Sequence, residues 1–125
     1  MTLVDSSGWI EYFTDGPLAD EFAPFLEGIE EVTTPTLVIF EVYRVIRRER
    51  SEEEAMEAVA QMQKSRVVDL DQFIALSAAE VSIEHRLAMA DAIVYATART
   101  HQTELVTADS DFDGLSGARV FSKRR

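Results

Sequence analysis

Thr2-Leu3-Val4-Asp5-Ser6-Ser7-Gly8-Trp9-Ile10 opens the chain as a short buried strand that ends in a carboxylate and turns into a helix. Ser6 and Ser7 can cap that helix, which carries Trp9, Ile10 and Phe13 inward. In an open parallel sheet the ligand crevice lies beyond the carboxyl ends of the strands, so Asp5 stands where a site is built. The same strand-to-helix grammar recurs downstream.

Asp15-Gly16-Pro17 breaks the first helix, and Leu18 to Glu27 resumes helical spacing through Ala19, Phe22, Ala23 and Leu26 despite Pro24. Val32-Thr33-Thr34 reads as a second strand. Thr34 as N-cap and Pro35 at the first helical position then open a helix reaching Arg48. Ser51-Glu52-Glu53-Glu54 is a capping box for a helix to about Lys64, with Ala55, Met56, Val59, Ala60 and Met62 as its buried stripe. Arg66 to Asp69 gives a third strand, and Asp71 starts a helix holding Phe73, Ile74, Leu76, Ala79 and Ile83 that ends at His85-Arg86. A last helix spans Met89 to Thr100. Glu104 to Thr107 is a fourth strand, Ala108 to Gly114 a polar loop, and Arg119-Val120-Phe121 a short edge strand. This alternation predicts an α/β fold of three layers, α/β/α, with a mainly parallel central sheet, in one domain over residues 1–125.

Composition excludes several chemistries. There is no cysteine, which removes disulfide frameworks, zinc ribbons and thiol catalysis, and two histidines cannot supply a third ligand. No apolar run approaches the roughly 20 residues that cross a bilayer, and Met1 to Asp5 has no basic stretch, so a cytoplasmic protein without a membrane segment is expected. Twelve Lys and Arg against 23 Asp and Glu leave a net charge of −11. Such a surface repels a phosphate backbone unless a local site reverses the sign. The basic clusters are Lys123-Arg124-Arg125 and the group Arg44, Arg47, Arg48 and Arg50.

Most of the acids are solvated surface, but four are placed differently. Asp5 ends the first strand, and Asp109 follows the Leu105-Val106-Thr107 strand by two residues, on the same edge if the strands are parallel. Glu41 lies on the helix after the second strand with Leu37 and Val45 one turn to either side. A carboxylate among such neighbours needs a hydrogen-bonded partner, a proton or a metal. Asp91 begins the Ala-rich helix Ala92 to Ala98. Taken singly, each has a plain structural explanation as a cap, turn former, helix-end acid or partner of Arg44 or Arg48. Together they conflict, since two carboxylates about 4 Å apart repel by roughly 4 kcal/mol at an effective dielectric of about 20. Raised pKa values or a cation would relieve that, and hard oxygen donors select Mg²⁺ or Mn²⁺ over zinc.

Three stretches carry a family likeness: Leu3-Val4-Asp5-Ser6-Ser7-Gly8-Trp9-Ile10, Ala90-Asp91-Ala92-Ile93-Val94-Tyr95-Ala96-Thr97-Ala98, and Leu105-Val106-Thr107-Ala108-Asp109-Ser110-Asp111-Phe112. In order and spacing they resemble the PIN domain, and within it the VapC-type toxins of toxin–antitoxin pairs. Glu41 in Thr36-Leu37-Val38-Ile39-Phe40-Glu41-Val42 resembles the family's acidic helix position. The resemblance implies an endoribonuclease using Mg²⁺ or Mn²⁺, with Asp5, Glu41, Asp91 and Asp109 as the catalytic and metal-holding quartet. It implies Asp111 as an auxiliary or second-metal contact, and Thr107 and Ser6 as hydrogen-bonding positions within the site. Products with a 5′-phosphate and a 3′-hydroxyl are implied, as are a homodimer and a VapB-type antitoxin whose tail covers the cleft with a competing basic side chain. Asp113 has no counterpart in the pattern. Arg44 and Arg48, three and seven residues beyond Glu41, are candidates for RNA or antitoxin contact, with pairing to Glu49 or Glu52 as the plainer alternative.

Rival functions fit less well. Asp109-Ser110-Asp111-Phe112-Asp113-Gly114 opens like a calcium loop, but Val120 stands where the bidentate glutamate belongs. A phosphoryl-aspartate switch wants a late lysine, and neither Lys64 nor Lys123 is placed for it. His85 and His101 sit near helix ends, which suits capping better than general-base chemistry. A PIN-like fold that only binds a partner is the remaining alternative to an enzyme.

Overall fold

The computed structural model describes residues 1–122; Lys123-Arg124-Arg125 lies outside the described residues. Five strands form the sheet: β1 (Thr2–Val4), β2 (Val32–Pro35), β3 (Arg66–Val68), β4 (Glu104–Thr107) and β5 (Ala118–Val120). Their order is β3-β2-β1-β4-β5, and every pairing is parallel. Leu3, Val4, Leu105 and Val106 have no exposed surface, as central parallel strands covered on both faces require. From β1 the chain moves outward to β2 and β3, then returns to the other side of β1 as β4 and β5. That reversal makes the carboxyl ends of β1 and β4 the topological switch point of the sheet.

Six helices connect the strands: α1 (Ser6–Phe13), α2 (Ala19–Glu27), α3 (Thr36–Glu49), α4 (Glu52–Met62), α5 (Gln72–His85) and α6 (Met89–Thr100). The right-handed rule for parallel crossovers assigns α1 to α4 and the α5–α6 pair to opposite faces. α1 packs on α2 and α3, α3 on α4, and α5 on α6. Among the described residues, no helix is long and apolar enough to cross a membrane.

Several local expectations change. Ser6 and Ser7 are the first residues of α1 rather than its caps; Asp5 is the N-cap and makes no side-chain capping bond. Pro35 ends β2 and is itself the N-cap of α3, because Thr34 stays in the strand and turns its hydroxyl to Ser65 Oγ at 2.6 Å. Ser51 and Asp71 do cap, accepting from the N–H groups of Glu54 and Ile74. α4 buries Ala55, Ala58 and Met62 and turns Met56 and Ala60 to solvent, since the i, i+3, i+7 row is the one that meets α3. α5 buries Ile74, Ala78 and Val81, leaving Phe73, Leu76 and Ile83 at 65, 62 and 75% exposure. Ala108 to Gly114 contains a single 3-10 turn, Ser110–Phe112. Val120 pairs with Thr107 in the sheet, so the calcium-loop pattern has no ligand at its far end.

Gly8 is fixed by close approach. A Cβ there would lie 2.6 Å from the Phe22 ring and 2.7 Å from Val4 Cγ1, both fully buried. Gly8→Ala is therefore expected to destabilise the protein by about 1–3 kcal/mol in urea denaturation, overpacking outweighing the better helix propensity of alanine.

Candidate metal centre

β1 delivers Asp5 to the sheet edge still tied by its backbone, the Asp5 N–H donating to the Val106 carbonyl at 3.0 Å. Its side chain is only 4% exposed. Thr107, at the end of β4, donates its hydroxyl to Asp5 Oδ2 at 2.9 Å, and Ser7 donates to the same oxygen at 3.2 Å. The turn after β4 is held by its own backbone: Asp109 N–H donates to Thr107 Oγ1 and Asp111 N–H to Asp109 Oδ1, each at 2.9 Å. That second bond starts the 3-10 turn and keeps Asp109 and Asp111 on one side. Asp91 occupies the first turn of α6, where the helix dipole favours an anion. Glu41 is half-buried on α3, with the Ser6 side chain near enough to oppose the rise of its pKa.

Carboxylate oxygens of Asp91, Asp109 and Asp111 lie within 4.8 Å of one another. Asp5 and Glu41 belong to the same electrostatic cluster. Burial raises the Asp91 carboxyl most, and the charges of Asp109, Asp5, Asp111 and Glu41 push it further, to about 7. Burial also raises Glu41, with Asp5 and Asp109 adding to it and the Ser6 hydrogen bond opposing. For Asp5, burial outweighs the hydrogen bonds from Thr107, Ser6 N–H and Ser7, and its pKa is raised as well. Carboxyls raised by burial and by one another's charge have the donor chemistry that a hard divalent cation takes, and the all-oxygen set fits magnesium or manganese.

The fold thus brings together Asp5, Glu41, Asp91, Asp109 and Asp111 from four separate segments, with Thr107 bonded to Asp5 and Ser6 beside Glu41. Asp113 is exposed and takes no part in the cluster. Arg44 and Arg48 do not reach it either; both are exposed, and Arg48 pairs with Glu49 at 3.3 Å. They line a groove of about 700 Å³ between α3 and α4. Ser7 is the residue that sequence reasoning missed. Its signal was position: Cβ atoms tilt toward a helix N-terminus, so a first-turn hydroxyl behind a strand-end aspartate points back at the sheet edge.

The PIN domain family model matches residues 2–118. The chain belongs to the PIN domain family. No curated protein sequence matches this PIN-domain chain. Among solved structures, it is similar to a toxin–antitoxin complex from Klebsiella pneumoniae, with TM-score 0.83, 22% identity, and 98% of this chain and 99% of that chain covered. It is also similar to Mycobacterium tuberculosis VapC20, a toxin that cleaves the sarcin–ricin loop, with TM-score 0.76, 21% identity and 94% and 96% coverage. DNA-bound VapBC from Salmonella typhimurium matches with TM-score 0.75 at 14% identity, covering 98% of each chain. At these identities the likeness establishes a shared fold.

The raised carboxyls set a pH dependence. Between the ordinary 3.8 and about 7, Asp91 of the folded PIN domain keeps a proton that the unfolded chain has lost. The folded state then binds more protons, so stability falls as pH rises through that window. Thermal denaturation in EDTA should show a lower Tm at about pH 8 than at about pH 5, and Asp91→Asn should flatten the decline. An equally steep decline in the variant would assign the effect to other groups.

Proposed function

We propose that this chain, as one domain over residues 1–125, is a divalent-cation-dependent endoribonuclease acting as the toxin of a toxin–antitoxin pair. The observation that carries the proposal is the convergence at the switch point of five acids from four separate segments, with the charge of Asp109 helping to raise Asp5, Asp5 and Asp109 helping to raise Glu41, and all four others helping to raise Asp91. The toxin–antitoxin neighbours of the same fold support it. Asp5, Glu41, Asp91 and Asp109 would hold Mg²⁺ or Mn²⁺, with Asp111 as auxiliary ligand. The cation, when bound, supplies a water of lowered pKa and shields charge developing on the phosphoryl oxygens. The chain's own part is to fix the ligands: Thr107 holds Asp5 by one oxygen, and the Asp109–Asp111 turn presents two carboxylates together.

A partner antitoxin belongs to the same proposal. The groove between α3 and α4 has an apolar floor of Ile39, Tyr43 and Val59 beside Arg44, Arg47 and Arg48, which suits an amphipathic segment with acidic side chains. A basic side chain of the same partner would compete with cations for the acids. The proposed homodimer would use the exposed apolar α5 face at Phe73 and Leu76, in the uncharged run from Gln72 to Ala79.

The test is RNA cleavage by the purified chain with Mg²⁺ or Mn²⁺ and with EDTA. Turnover should require the cation and fall by on the order of 100-fold or more in Asp5→Asn and in Asp91→Asn. Cleavage that persists in EDTA would sink the proposal.

A further inference from the structure

Ser7 makes more contacts than any role so far gives it. Its Oγ accepts the Ala108 N–H at 2.9 Å, lies 3.2 Å from Asp5 Oδ2, and lies 3.1 Å from Thr107 Oγ1. A hydroxyl has one proton and two lone pairs, which allows the directions to be worked out. Thr107 accepts from Asp109 N–H and gives its proton to Asp5 Oδ2. Ser7, already accepting from Ala108, must turn its own proton inward, to the same Oδ2 and the flank of Thr107. Consecutive backbone N–H groups, of Ala108 and Asp109, therefore orient two hydroxyls that converge on one oxygen of Asp5. Oδ1 receives neither hydroxyl.

The bond from Ala108 to Ser7 has a second effect. It joins the start of α1 to the first residue after β4, one position before Asp109. Asp5 and Asp109 are thus set relative to each other through Ser7 as well as through the β1–β4 ladder, which ends at Val4 and Val106.

We infer that Ser7 is a positioning residue: with Thr107 it holds Asp5 by Oδ2 and fixes the spacing of Asp5 and Asp109, and so determines how tightly the centre takes a divalent cation. The inference rests on the metal-centre reading above, and its test reads metal binding directly. Mn²⁺ titration of the purified chain, followed by electron paramagnetic resonance, should show Ser7→Ala weakened about 10–100-fold, the range found for groups that orient metal ligands, and Ser7→Thr within about threefold of wild type. Turnover of Ser7→Ala should recover as Mn²⁺ is raised to saturation, because every ligand is still present; a general structural defect would not be rescued that way. Should Ser7→Ala fail to fold, Ser7→Cys keeps the shape with a weak donor and is expected to show the same loss. Wild-type affinity in the folded Ala or Cys variant would overturn the role of Ser7 while leaving the metal centre standing. No Mn²⁺ binding by the wild type would overturn both.

Discussion

A buried carboxylate at the end of a central strand constrains everything around it. Asp5 follows β1, which lies between β2 and β4, and its backbone is fixed there by its N–H bond to the Val106 carbonyl. Charged there and unaided, it would face a desolvation penalty that a small domain can ill sustain. The fold offsets part of this locally: two hydroxyls converge on Oδ2, and α1 begins directly behind Asp5 while α6 begins beside Asp91, each with its positive end toward an acid. The remainder falls on protons or on a cation. Asp91, raised to about 7 by burial and by the charge of the surrounding acids, registers that residual cost.

Legibility in the sequence followed the same physics. The strand ends at Asp5 and Asp109 were readable because central parallel strands are short apolar runs, and a carboxylate directly after one can only lie at the crevice edge. α5 was less readable. It is apolar on nearly every side, so periodicity could not say which face packs; its close packing on α6 selects Ala78 and Val81 and displaces the larger Phe73, Leu76 and Ile83 outward. Thr34 and Pro35 satisfied a helix-start pattern that tertiary pairing overrode, β3 holding Pro35 opposite Val68 in the sheet. Ser7 escaped because its partners Thr107 and Ala108 are about a hundred positions away, and no local pattern reports a bond that the β1–β4 pairing creates.

Charge turns these details into a consistent picture of selectivity. A surface of net −11 keeps polyanions at a distance, and the arginines of α3 lie along a separate groove rather than among the acids. On the proposed function, then, no basic footprint of the kind that coats nucleic acid without regard to sequence surrounds the acids among the described residues. On the same proposal, attraction for the phosphodiester arises where cations overturn the local field, at the edge where carboxylates from four segments meet. Binding and chemistry would thereby depend on the same few ligands, and a chain that held its acids apart would lose both at once. On the proposed function, precise placement of Asp5 matters for that reason: the residue that makes the cluster costly without a cation is the one that would make it capable of holding RNA with one.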